Sequence, residues 1–163
     1  MAWCVIGDDF RLKSFFRALS LESQIVVTDI AGKPVEFEVI VENRGFTVSP
    51  GNNEIEYPNK GARYVLLVAV NLREGPPNNG AVEFWIETYI GGEWVASPIS
   101  GKVLDFTKSA DGFILYNESF TLVEGVNARL MARATAGEPV LQSELLDNGV
   151  MVPSITVNVQ EVT

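Results

Sequence analysis

Between Ile25 and the C-terminus, apolar side chains recur at every second position, the period of a strand with one wet face. Val35, Phe37, Val39 and Val41 alternate with Glu36, Glu38, Ile40 and Glu42, which predicts a half-buried strand with an acidic outer face. Tyr64–Val70 is apolar on both faces and predicts a central strand. Ala81–Ile90 alternates again, and Lys102–Phe106, Phe113–Leu122, Ala128–Ala134 and Ile155–Val162 bring the set to about eight to ten strands. Turn residues separate them: Gly51-Asn52-Asn53, the run from Gly75 to Gly80, Gly91-Gly92, Asp111-Gly112 and Asn148-Gly149. Many strands divided by turns, without helices between them, predict an all-β, antiparallel β-sandwich or barrel.

Two segments depart from this rhythm. In residues 8–19, Leu12, Phe15, Phe16 and Leu19 fall at i, i+3, i+4 and i+7, the stripe of a short amphipathic helix. Asp8 or Asp9 supplies the N-cap, and Arg11, Lys13 and Arg17 stand off the stripe. The expected organisation is a helical N-terminal arm over residues 1–24 and a β-sandwich over residues 25–163. Residues 136–153 are the least regular stretch and read as a long loop with a helical turn near Ser143–Leu146.

One hairpin is legible in register. The two glycines of Ile90-Gly91-Gly92-Glu93 allow the positive φ values of a type I′ or II′ turn, which sets Tyr89 opposite Trp94 and Thr88 opposite Val95. Val82, Phe84, Ile86, Thr88 and Ile90 then share the core face. Trp85, Tyr89 and Trp94 share the other, with Glu83 and Glu87 between them. Three large rings on an acidic face fit a sugar-stacking platform, a subunit interface, or a patch covered by another strand or by the N-terminal helix.

Charge narrows the partners. The chain carries 21 acidic and 12 basic side chains, a formal charge of −9 that falls wholly on residues 25–163. Such a surface repels phosphate backbones and anionic lipid, so neither nucleic acid nor a membrane is an expected partner. No apolar run approaches the ~20 residues that span a bilayer, and the first nine residues lack the basic n-region of a signal peptide. Cys4 is the lone cysteine, which fits synthesis in a reducing cytoplasm.

Catalytic chemistry is thin. The chain has no histidine, so triads and ordinary zinc sites are not expected. No phosphate-loop, dinucleotide or EF-hand spacing occurs, and neither cofactor nor metal is expected. Glu83 and Glu87, four apart on a strand, stand roughly 13 Å from each other, beyond the roughly 5–9.5 Å of glycosidase carboxylate pairs, and read as a solvated outer face. Asn52, Asn53, Glu54 and Glu56 offer oxygens for calcium but read as a polar loop.

The order of elements from Lys60 onward resembles TNF/C1q-like jelly-roll domains. Lys60-Gly61-Ala62-Arg63-Tyr64-Val65-Leu66-Leu67-Val68 is similar to the Gly-x-Tyr opening of a strand in that family, with Arg63 and Tyr64 shifting the spacing. Ala81–Ile90 with its Gly91-Gly92 turn, Phe113–Leu122, the acidic-glycine turn at Glu124-Gly125 before Ala128, and the closing Ile155–Val162 follow in the family's order. An immunoglobulin-like sandwich shares much of this rhythm. The resemblance implies a jelly roll that commonly forms trimers, of a kind also used in virion surface proteins such as phage head decorations and fibre tips; it transfers no ligand residue.

Two functions are expected from these features. In the first, the protein is a non-enzymatic structural protein of a virion, made in the host cytoplasm. There Trp3, Leu12, Phe15, Phe16 and Leu19 dock the arm on a neighbouring subunit or a capsid lattice, or pack on their own sandwich. In the second, it is a carbohydrate-binding module that holds a surface glycan on Trp85, Tyr89 and Trp94.

Overall fold

The computed structural model describes residues 14–49, 51, 53–59, 61–74, 81–97, 101–105, 111–121 and 127–162. Their strands, in chain order, begin with β1 (Phe15–Ser20), β2 (Gln24–Ile25), β3 (Lys33–Pro34), β4 (Val39–Arg44), β5 (Thr47–Val48) and β6 (Ile55–Glu56). The long strands follow: β7 (Arg63–Glu74), β8 (Ala81–Ile90), β9 (Glu93–Ala96), β10 (Lys102–Asp105), β11 (Asp111–Thr121) and β12 (Asn127–Ala136). The last are β13 (Pro139–Leu141), β14 (Glu144–Leu145), β15 (Met151–Val152) and β16 (Ile155–Val162).

Apart from the small β14–β15 hairpin, these strands form two sheets packed face to face. In the first, β7 lies between β11 and β16, and β16 leads on to β1 and then β4. Near its end β7 exchanges β16 for β13, which carries β2 at its far edge. In the second, β8 and β12 form the centre; β9 and β10 share the outer edge of β8, and β3 and β6 share that of β12. Every ladder is antiparallel, so the two-residue period read from the sequence carries over into a layered core.

That core is built by alternation. Tyr64, Leu66, Val68 and Val70 of β7 and Ile155, Val157 and Val159 of β16 are buried in one cluster with Val82, Phe84 and Ile86 of β8 and Ala128, Leu130, Ala132 and Ala134 of β12. At one end Phe46 meets Phe16, Tyr57 and Tyr64 with ring centroids 5.8, 5.2 and 6.0 Å away, tilted or edge-on as ring quadrupoles prefer. Among the described residues the two buried polar side chains are hydrogen-bonded: Ser20 donates to Glu38 Oε1 at 2.7 Å and Ser154 to the Glu22 carbonyl at 2.6 Å.

Three expectations are corrected. Phe15–Ser20 is not helical; it is β1, paired on both sides by β16 and β4, with Phe16, Ala18 and Ser20 buried. Its period is two, and the helical spacing arose because both faces of an interior strand are apolar. Leu12 and Trp3 lie outside the described residues. The helical turn near Ser143–Leu146 is instead a small hairpin, β14 paired with β15. Finally, Val35 and Phe37 are buried outside any ladder, while Val39, Ile40 and Val41 of β4 are all exposed. The β1–β4 register shifts between Arg17 and Ala18, a bulge that breaks the alternation expected there.

Candidate functional site

The Gly91-Gly92 hairpin forms in the expected register, Tyr89 opposite Trp94 and Thr88 opposite Val95. Both glycines have positive φ, 62° and 96°, as a type I′ turn requires. β12 then lays Arg129 opposite Glu87, Met131 opposite Trp85 and Arg133 opposite Glu83. The outer face of the second sheet is therefore a ladder of ion pairs and rings in alternate rows.

The geometry of the ion pairs is close. Arg129 meets Glu87 Oε2 through Nε at 2.9 Å and Nη2 at 2.7 Å. Arg133 meets Glu83 Oε2 through Nε at 2.6 Å and Nη2 at 2.5 Å, and its Nη1 donates to the Ile30 carbonyl at 3.0 Å. The four side chains are only 14–28 % exposed. The expected solvated acidic face is thus a half-buried, locally neutral one. The signal for it was available: Arg129 and Arg133 repeat the four-residue spacing of Glu83 and Glu87 on a neighbouring strand.

The three rings do not form one platform. Tyr89 and Trp94 pair at 5.2 Å between centroids, and the Arg129 guanidinium covers Trp94 at 4.1 Å. Trp85 stands apart beyond the Glu87–Arg129 row. Its indole N–H donates to Glu87 Oε1 at 3.1 Å, and Arg133 lies 5.8 Å from its ring centre. The ring edge packs on Gly32, where a Cβ would overlap it. A groove of about 410 Å³ opens over Trp85, walled by Ile30 and Ala31 on one side and by Ala96, Ser97 and Gly101 on the other, with Glu83, Glu87 and Arg133 beside the ring.

A second surface lies on the outside of the first sheet. Val65, Leu67 and Ala69 of β7 point outward and are half-buried, as are Phe15 and Leu19 of β1. Thr156, Asn158 and Gln160 of β16 lie between those strands in register. Arg17 is the single charge among the outward residues of β1, of β7 from Val65 to Ala69 and of β16 from Thr156 to Gln160. Of the residues expected to dock the arm, Phe16 is therefore in the core, and Phe15 and Leu19 belong to this face.

Among the described residues no three acidic or thiol side chains converge as metal ligands, and no helix is long and apolar enough to cross a membrane.

No protein-family model and no curated sequence relative matches the chain. Solved structures do. The globular domain of zebrafish complement 1qA protein superposes with a TM-score of 0.57 at 15 % identity, over 91 % of this chain and 95 % of that one. Murine APRIL at pH 5.0 gives a TM-score of 0.59 at 12 % identity over 92 % and 99 %, and Eiger TNF from S. frugiperda 0.55 at 10 % over 92 % and 91 %. The likeness spans both sheets, and the chain has the jelly-roll fold of the C1q and TNF domains.

Proposed function

We infer that this domain works without catalysis, by protein–protein assembly, and that it associates with copies of itself as a trimer through the outside of the first sheet. One observation carries the reading. β7 is apolar on both faces, so Val65, Leu67 and Ala69 lie on the far side from the core. Together with Phe15 and Leu19 they make an apolar centre in which Arg17 is the one charge, with the paired Glu42 and Arg44 of β4 at its edge, on a chain of net charge −9. Depletion of charge at the centre of a patch is the compositional mark of an interface. The fold shared with C1q and TNF domains supports a trimer as the closed symmetry.

Light scattering after size exclusion tests it. The wild-type chain is expected at about three times its 17.8 kDa mass, and Leu67→Asp at the monomer mass with its β circular dichroism intact. A wild-type monomer overturns the reading.

Within it, we place the domain on a virion, as a capsid decoration or surface protein. Support comes from the sequence resemblance, the acidic surface and the lack of histidine chemistry. Immunogold labelling of particles released from cells carrying the gene checks this: label on particles supports it, and label confined to free protein overturns it.

A further inference from the structure

We propose that the groove over Trp85 is a binding site for a neutral saccharide, one ring of a glycan seated on the indole. This goes beyond the assembly reading and uses the opposite face of the sandwich.

Two short strands share the edge of β8 beside the groove. β9 ends at Ala96 opposite Glu87, and β10 begins at Lys102 opposite Phe84. The small residues Ala96, Ser97 and Gly101 line this side of the groove. The opposite wall is held in place by its own hydrogen bonds. Arg133 holds the Ile30 carbonyl, Asp29 Oδ1 accepts from the Ala31 N–H at 2.9 Å, and the Gly32 N–H donates to the Asp29 carbonyl at 2.9 Å. The walls are thus preformed around an aromatic ring, the arrangement of small-ligand sites of about 300–1,000 Å³.

The chemistry of the floor selects the ligand. Both Arg133 contacts to Glu83 fall on Oε2, and the other carboxylate oxygen, Oε1, faces the Gly101 side of the groove. It is an acceptor positioned for a hydroxyl. Glu87 Oε1 takes the indole N–H and so fixes the ring's attitude. Each guanidinium is already matched to a carboxylate, so the site offers no net charge to a phosphate or a carboxylate ligand. The Ile86 carbonyl, which an added peptide strand would need, already accepts the Ser97 N–H at 2.8 Å. What remains is a neutral molecule with an apolar C–H face for the ring and hydroxyls for its rim, which describes a sugar. Of the two tryptophans on this face, Trp85 is the less covered: Arg133 stands 5.8 Å from its ring centre, against 4.1 Å for Arg129 over Trp94.

Calorimetric titration of the full chain with neutral cello-, chito-, manno- and galacto-oligosaccharides, with sialyllactose and a heparin oligosaccharide as charged controls, tests the site. Saturable binding of at least one neutral probe is expected. Trp85→Ala should weaken it by at least about tenfold. Ala96→Leu fills the groove from an exposed position and should do the same if Trp85→Ala fails to fold. Glu83→Gln should weaken binding less, because it keeps an acceptor. Absence of binding by every neutral probe at millimolar concentration overturns the proposal. Binding of the charged controls alone does so too, as does undiminished binding by Ala96→Leu. The oligomeric mass is read separately, so neither proposal's failure masks the other's.

Discussion

Tyr64 and Asn59 are closed on each other through one hydroxyl. The phenol donates to the Asn59 carbonyl and accepts from the Asn59 N–H, each at 3.0 Å. The ring is fully buried at the start of β7, and the loop before it turns through Gly61 at φ 80°. Tyr64 therefore joins the aromatic end of the core to the loop that delivers the chain into its central strand. Tyr64→Phe keeps the ring and strips both bonds. The expected loss is about 1–3 kcal/mol of unfolding free energy, read as a lower urea midpoint with an unchanged slope.

Alkali should unfold the protein through the same corner. Burial pushes the Tyr57 phenol far above its ordinary value, and burial also raises Tyr64, opposed by its bond to Asn59. A phenol raised by folding stabilises fully below its unfolded pKa of about 10 and progressively less as pH climbs above it. Urea midpoints should be level from about pH 8 to 9.5 and fall beyond about pH 10. Tyr57→Phe should fall less steeply than wild type.

Arg129 is asked to do two things, to pair with Glu87 and to cover Trp94. Arg129→Ala leaves Glu87, itself 14 % exposed, without its cation and should cost about 1–3 kcal/mol. Arg129→Lys restores charge but not the forked geometry and should recover only part of this. A double-mutant cycle with Glu87→Gln should give a coupling above about 0.5 kcal/mol.

Two glycines with positive φ should respond differently to alanine. Gly92, at φ 96°, has open space where a Cβ would go, so Gly92→Ala carries only the backbone cost of about 1–2 kcal/mol. Gly32, at φ 66°, abuts the Trp85 ring and the Ala132 carbonyl. Gly32→Ala should cost more than Gly92→Ala and should also shift the tryptophan emission, because the indole must move.

Strand periodicity was legible in the long central strands β7 and β8. Ala81–Ile90 and the Gly91-Gly92 turn could be placed to the residue, because alternation and turn chemistry agree there. Legibility failed in β1, where Phe15 and Leu19 serve the outer surface and Phe16 the core. A strand that is apolar on both sides presents the spacing of a helix. It failed again at β4, since a bulge cannot be read from a pattern whose regularity it interrupts. At the Trp85 face the rings and acids stood out, but their arginines did not, because cross-strand register joins residues 42 and 50 positions apart. The groove itself is walled by segments far apart in the chain, Ile30 and Ala31 on one side and Ala96 and Ser97 on the other, which no local composition announces.

β16 stands between β1 and β7 and pairs with both. During biosynthesis this imposes an order of events. The segment Phe15–Ser20 leaves the ribosome early and Arg63–Glu74 midway, yet they share no neighbour until Ile155–Val162 follows them. Until then the two have only side-chain attraction to hold them near each other, and their outward apolar residues are open to other nascent chains. A polysome, which crowds several unfinished copies together, is where this protein's demand for a chaperone should be greatest.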